Sequence, residues 1–250
     1  MTKTYNETND LRVALVTGGT GGIGHAIVKK LADNGFAIAV HYSSNKLKAD
    51  TIVNEIIKKG GKAISIGGDV ADEKGMQEAF EIVEERLGGI DIVINTAGIM
   101  LLSPISEMNL ADLDKMYRTN IRGTFVIAQQ AARRVRKGGT IINFSTTVTR
   151  TQLPSYGAYV ASKAAVEAMT LVLARELRGK DITVNTVAPG PTATPLFLNG
   201  KDEQTIDNFS KATPLERLGT PEDIADTVVH LATSGRWING QVIFTNGGLA

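Results

Sequence analysis

Seven short apolar runs, rich in β-branched residues, recur along this 250-residue chain and are separated by longer stretches. They cover residues 12–17, 36–41, 63–66, 90–94, 140–144, 182–187 and 241–245. Each run is apolar nearly throughout rather than alternating, which suits a strand covered on both faces. The stretches between them are long enough for crossover helices. Ile27 and Leu31 before Gly35, and Ile52 and Ile56 before Gly60-Gly61, carry the helical spacing and its glycine stop. Strands alternating with helices predict a single-domain, Rossmann-type α/β fold: a doubly wound parallel sheet of about seven strands with helices on both faces. One interruption stands out. Pro189-Gly-Pro-Thr-Ala-Thr-Pro195 opens a weakly periodic segment reaching about Pro214, an insertion of the size of a lid over residues 191–214.

Composition removes several alternatives. The chain has no cysteine, which excludes disulfides, thiolate metal sites and a cysteine nucleophile, and no metal site is expected. With 27 Lys and Arg against 26 Asp and Glu, there is no domain-wide charge to hold nucleic acid or an anionic membrane. No uninterrupted apolar run reaches 18 residues, and the polar opening 1–10 lacks the apolar centre of a signal peptide. The reading is therefore a disordered polar tail at 1–10, a catalytic domain over 11–250 and a cytoplasmic location.

Thr17-Gly-Gly-Thr-Gly-Gly-Ile-Gly24 follows the first strand directly and opens the first helix. Glycines there allow a backbone to approach a pyrophosphate, and the helix N-terminus supplies free N–H groups and a positive dipole end. Further on, Tyr159 and Lys163 stand four residues apart in a helical stretch, hence on one face. A free phenol titrates near about 10. A neighbouring ammonium stabilises the phenolate and lowers that value.

The loop spacing Thr-Gly-x-x-x-Gly-x-Gly, with Gly18, Gly22 and Gly24, resembles that of the short-chain dehydrogenase/reductase family. So do Asn95-Thr-Ala-Gly98, Asn120, Tyr159-Val-Ala-Ser-Lys163, Pro189-Gly-Pro-Thr-Ala-Thr194 and the ending Asn239 to Gly248. The resemblance runs from about Leu11 to Leu249. It implies a nicotinamide-dependent oxidoreductase that reduces a ketone to a secondary alcohol by hydride transfer.

Its catalytic residues would be Asn120, Thr146, Tyr159 and Lys163. The family places a serine thirteen or so residues before the tyrosine, and counting back thirteen from Tyr159 lands on Thr146, with Ser145 and Thr147 as fallbacks. Threonine keeps the hydroxyl but adds a methyl and restricts χ1. The same resemblance puts the cofactor against Gly18, Thr20, Gly22, Ile23 and Gly24 of the loop, and against Tyr42, Ser43 and Ser44 after the second strand. Asp69 and Val70, then Asn95, Ala97 and Gly98, follow at the next strand ends. Tyr159, Lys163, Pro189, Gly190, Thr192 and Thr194 complete the set.

An NAD enzyme usually carries an acid near the second strand end to bind the ribose hydroxyl. Here stand Tyr42, two serines and Lys46, which favours NADPH/NADP+ over NADH/NAD+, although Gly21 occupies a loop position where NADPH-dependent members often have Arg or Lys. Met100 to Leu102, Gln152 to Pro154 and Leu196 to Leu198 would make a mostly apolar substrate pocket. Such a pocket suits a small-molecule carbonyl substrate, including an acyl thioester. Members that act on carrier-bound 3-oxoacyl groups dock an acidic partner with basic residues, and Lys137 and Lys180 fall at matching offsets. The resemblance further implies a homotetramer built on two long central helices and the last strand. Two other readings stay open: an NAD-linked alcohol or polyol dehydrogenase, and a non-catalytic dinucleotide-binding regulator.

Overall fold

Strand β1 (Val13–Thr17) is an inner strand, third from one edge of a seven-stranded parallel sheet, with every strand end within two residues of its apolar run. A computed structural model describes residues 11–250, so the tail expected at 1–10 lies outside the described residues. The other strands are β2 (Ala37–Tyr42), β3 (Ala63–Gly67), β4 (Ile92–Asn95), β5 (Thr140–Phe144), β6 (Thr183–Pro189) and β7 (Val242–Thr245). Their spatial order is β3-β2-β1-β4-β5-β6-β7. The chain winds one way from β1 and then the other, so a crevice opens where β1 meets β4, at the C-terminal strand ends.

Alternation along the strands feeds two cores. Val13 and Leu15 point to the face covered by α3 (Glu73–Leu87), α5 (Gly123–Arg134) and α7 (Gly157–Glu176), where they join Phe80, Ile127 and Leu173. Ala14 and Val16 point to the face covered by α1 (Gly22–Asp33), α2 (Lys46–Lys58) and α10 (Pro221–Thr233), among Ile27, Leu31, Ile52 and Val228. Burying each such large aliphatic or aromatic side chain contributes about 1.5–3 kcal/mol. This double coverage is why the strands read as unbroken apolar runs.

The remaining helices are α4 (Leu110–Tyr117), α6 (Val148–Thr151), α8 (Pro195–Leu198) and α9 (Glu203–Ala212). Between α4 and α5 the backbone widens into one π turn, Arg118–Arg122, with Asn120 at its middle. The insertion after β6 is more regular than its weak periodicity suggests, since α8 and α9 lie within it. Neither helix has a buried residue. They cover a cavity rather than the core: Leu196 and Phe197 of α8 and Phe209 of α9 lie on its wall. The ends of this insertion meet: Gly219 N–H donates to the Pro191 carbonyl at 2.9 Å, and Ala193 N–H donates to the Gly219 carbonyl at 2.8 Å.

Among the described residues, α7 has the length and mean hydropathy, 1.2, of a membrane-crossing helix. An uninterrupted-run test misses it because Tyr159, Lys163, Glu167 and Thr170 punctuate it. Its apolar character is accounted for by packing, since Val166, Leu173 and Ala174 are buried.

Candidate active site

The loop after β1 turns back on itself, with Gly21 N–H donating to the Gly18 carbonyl at 2.9 Å. Gly18 has φ +62, a conformation that favours glycine. A Cβ on Gly24 would lie 2.3 Å from the Gly18 carbonyl oxygen. Helix α1 then starts at Gly22 with Gly21 as N-cap and no side chain closing its first turn, which leaves its N-terminal N–H groups to an outside acceptor. Thr96 supports the loop from below by donating to the Thr17 carbonyl at 2.6 Å.

His41, on β2, is almost wholly buried beneath this loop. Burial drives its imidazole down to about 4, against the opposing pull of the Gly68 carbonyl, so the ring is neutral. Its Nε2 donates to that carbonyl at 3.1 Å, and Nδ1 accepts from Gly18 N–H at 3.4 Å. Asp69 sits beside it. Burial raises the Asp69 carboxyl, but the Ala71 N–H and the ion pair with Arg118 outweigh it and hold the group below the usual carboxylate range.

A cavity of about 670 Å³ runs from the glycine loop along the C-terminal strand ends to Tyr159. Its wall includes Gly18, Thr20, Gly22, Ile23, Gly24, Ser43, Asp69, Val70, Ala97 and Gly98. Thr146, Tyr159, Lys163, Pro189, Gly190 and Thr192 also line it, as does Thr194, which packs on Gly22 of the loop. Four of the expected residues lie off this wall. Tyr42 packs over Gly67, and Ser44 is exposed beyond the cavity. Asn95 is held inside the sheet, accepting from Thr17 Oγ1 at 2.7 Å and donating to Thr124 Oγ1 at 3.0 Å. Asn120 donates to the Ile99 carbonyl at 2.9 Å and to Ser162 Oγ at 3.0 Å, and accepts from Ile99 N–H at 2.9 Å. It thereby ties the turn after β4 to α7.

The three candidate hydroxyls at 145–147 have separate partners. Ser145 Oγ turns away to Glu167 Oε1 on α7. Thr147 Oγ1 donates to the Ala188 carbonyl at 3.3 Å. Of the three, Thr146 alone bears on the Tyr159 phenol, drawing its titration downward. Lys163 Nζ donates to the Phe144 carbonyl at 2.9 Å and lies 5.9 Å from the Tyr159 ring centre.

The electrostatics differ from the sequence expectation. Burial pushes the Tyr159 phenol up to about 12, helped by Tyr156 and opposed by Thr146, and pushes the Lys163 ammonium down to about 8. Desolvation is the largest influence on both groups. Tyr159 therefore keeps its proton across the neutral range, and Lys163 is the group that changes charge near pH 8.

The apolar end of the cavity contains Met100, Leu153, Leu196 and Phe197, as expected, while Leu101, Leu102, Gln152, Pro154 and Leu198 stay off its wall. Sequence reasoning missed Val148, Tyr156 and Phe209. Tyr156 had a usable signal, since it precedes Tyr159 by three residues and shares its helical face. Phe209 had none: it reaches the cavity on α9 and meets the Phe197 ring edge-on at 5.2 Å.

The fit for a dinucleotide is good on three counts: the loop that a Cβ would fill, the open N-terminus of α1, and a buried ammonium with one protein acceptor facing the cavity. Comparisons with known proteins agree. The family model described as Enoyl-(Acyl carrier protein) reductase matches residues 18–250. A short-chain type dehydrogenase/reductase of Picea abies is 41% identical over 248 residues, covering 95% of this chain and 92% of its own. An NADPH-dependent aldehyde reductase-like protein, chloroplastic, of Arabidopsis thaliana is 37% identical, covering 95% and 93%. The crystal structure of a short chain dehydrogenase from Burkholderia cenocepacia J2315 in complex with NADP superposes with a TM-score of 0.89 at 34% identity, covering 95% of this chain and 97% of that one.

Proposed function

Because this chain belongs to the short-chain dehydrogenase/reductase family, we propose that Tyr159, Thr146 and Lys163 carry an NADPH-dependent reduction of an apolar carbonyl compound to an alcohol. The oxidoreductase class and the use of NADP(H) follow from the family and its NADP-bound members. The observation that carries the assignment of roles is the burial of Thr146, Tyr159 and Lys163 together at the end of the cavity opposite the glycine loop.

Bound NADPH supplies the hydride. Tyr159 holds the proton that the carbonyl oxygen takes up. The Thr146 hydroxyl, beside the phenol, holds that oxygen in place as negative charge develops on it. Lys163, fixed by the Phe144 carbonyl, adds positive charge at the same end of the cavity and donates to the cofactor ribose. Asn120 acts at one remove by pinning Gly98 and Ile99 next to Lys163. Ser43 and the α1 N-terminus take the phosphates, and Lys46, which is bonded to Asp50 at 2.6 Å, stands nearby.

Met100, Leu153, Tyr156, Phe197 and Phe209 favour a substrate with an apolar body, and α8 and α9 serve as its lid. An acyl thioester on an acidic carrier would meet Lys137, which is exposed, whereas the Lys180 ammonium turns to the Ala132 carbonyl at 3.3 Å. Exposed Phe125 on α5, Leu171 and Val172 on α7, and fully exposed Trp237 ahead of β7 support assembly of four copies through these elements.

Fluorescence titration with NADPH and NADH, followed by a panel of 3-oxoacyl thioesters, diketones and cyclic ketones, tests this reading. NADPH is expected to bind at least about tenfold more tightly, a preference of about 1.4 kcal/mol, and to be oxidised with at least one ketone. Binding without turnover across the panel would favour the regulator reading instead. The pH dependence has a defined sign. The lowered Lys163 value means its charge is present below pH 8 and lost above it. kcat/KM for NADPH, which reports free-enzyme ionisations, is expected to be level to about pH 7.5 and to fall above about 8.

A further inference from the structure

The short connection between β5 and α6 is fastened to α7 on both sides of Thr146. On one side Lys163 Nζ holds the Phe144 carbonyl. One turn further along α7, Glu167 uses a single oxygen, Oε1, to accept from two hydroxyls that flank Thr146 in sequence: Ser145 Oγ and, at 2.9 Å, Thr149 Oγ1. The Thr149 hydroxyl oxygen is also 2.9 Å from the Thr146 carbonyl oxygen, so its one proton is shared between the two acceptors. A glutamate needed only for helix propensity would face water. This one is half-buried and turned onto the connection.

We propose that Glu167 is a positioning residue for the reaction: by gripping Ser145 and Thr149 it sets where the Thr146 hydroxyl meets the Tyr159 phenol. The proposal rests on the reading of Thr146 and Tyr159 given above. Its physical basis is the weak hold on Thr146 itself. Within the protein backbone its Oγ1 has only the Val148 N–H, at a long 3.3 Å. A β-branched side chain has little χ1 freedom with which to compensate, so the hydroxyl goes where its backbone goes. Misplacing a reacting group by about 1 Å costs up to about 10²-fold in rate.

The experiment is steady-state NADPH oxidation with the ketone of highest turnover in the panel above, alongside NADPH fluorescence titration. Glu167→Leu should lower kcat by about tenfold or more while leaving NADPH affinity within about twofold of wild type. Glu167→Gln keeps an acceptor oxygen at the same place and should restore kcat to within about threefold.

The cycle with Thr146→Ala separates positioning from structure. Once the hydroxyl is gone, adding Glu167→Leu should cost less than about twofold more. If Glu167→Leu does not fold, Thr149→Val removes one of the two donors and carries the same cycle. Wild-type kcat in Glu167→Leu, or an equal loss in both backgrounds, overturns the proposal. Wild-type kcat in Thr146→Ala alone instead removes the reading of Thr146 on which it rests.

Discussion

Tyr159→Phe is expected to lower kcat for carbonyl reduction by about 10²–10⁴-fold, the usual contribution of a positioned proton donor, with NADPH affinity unchanged within about twofold. The substitution is a clean probe here because of how Tyr159 is packed. Only 8% of the residue is exposed, and it belongs to a small core with Met116, Tyr156 and Ala158. A phenylalanine ring fills the same space, so the backbone of α7 and the placement of Lys163 are preserved.

What disappears is the hydroxyl, and with it the proton that the phenol keeps through neutral pH. Lys163 does not replace it, because its ammonium is tied to the Phe144 carbonyl, 5.9 Å from the centre of the ring. Stopped-flow or steady-state NADPH oxidation checks the rate, and fluorescence titration checks the affinity. A loss of less than about tenfold would mean that some other group supplies the proton.

Gly24→Ala is the second large effect, and it acts at the opposite end of the cavity. The added Cβ would stand 2.3 Å from the Gly18 carbonyl oxygen and 2.9 Å from Thr96 Oγ1. The first of these is backbone, so the loop has to move as a whole. Displacing it withdraws the α1 N-terminal N–H groups from the phosphates. The loss of two hydrogen bonds to a charged group costs about 3–6 kcal/mol, or about 10²–10⁴-fold in NADPH affinity.

Gly35→Ala is the matching control. Gly35 has φ +82 at the end of α1 but nothing within 4 Å of a new Cβ. It should cost about 1 kcal/mol of stability and leave NADPH binding alone. Equal affinities for the two variants in a fluorescence titration would contradict the role given to the loop.

Much of this molecule is legible from sequence because its determinants are local. A strand buried on both faces must be apolar throughout, so the seven runs locate the sheet to within two residues. The Tyr159–Lys163 pair is legible because helix geometry alone brings residues four apart together. The choice among Ser145, Thr146 and Thr147 is not local. It depends on Glu167 and the Ala188 carbonyl, which are distant in sequence, and three adjacent hydroxyls look alike without them.

The same limit hid the direction in which Tyr159 titrates. Spacing reveals that an ammonium is near, but only the fold reveals that both groups lie out of water. Asn95 and Asn120 carry polar side chains at the right strand and helix ends, yet their partners are Thr17, Thr124, Ile99 and Ser162 rather than the cavity. The helices of the insertion went unread because Pro195–Leu198 and Glu203–Ala212 are too short for a helical period to stand out.

The junction of Pro191 and Ala193 with Gly219 has an evolutionary consequence. Because the chain leaves and re-enters the fold at one point, the intervening segment behaves as a cassette spliced onto the sheet. Lengthening or replacing its stretch beyond Thr194 changes a loop closed at both ends, and doubling such a loop costs about 0.6 kcal/mol. Phe197 and Phe209 lie inside the cassette, whereas Thr146, Tyr159, Lys163 and the glycine loop lie outside it. Variation among descendants of this chain can therefore retune which molecules are admitted without touching the groups that act on them.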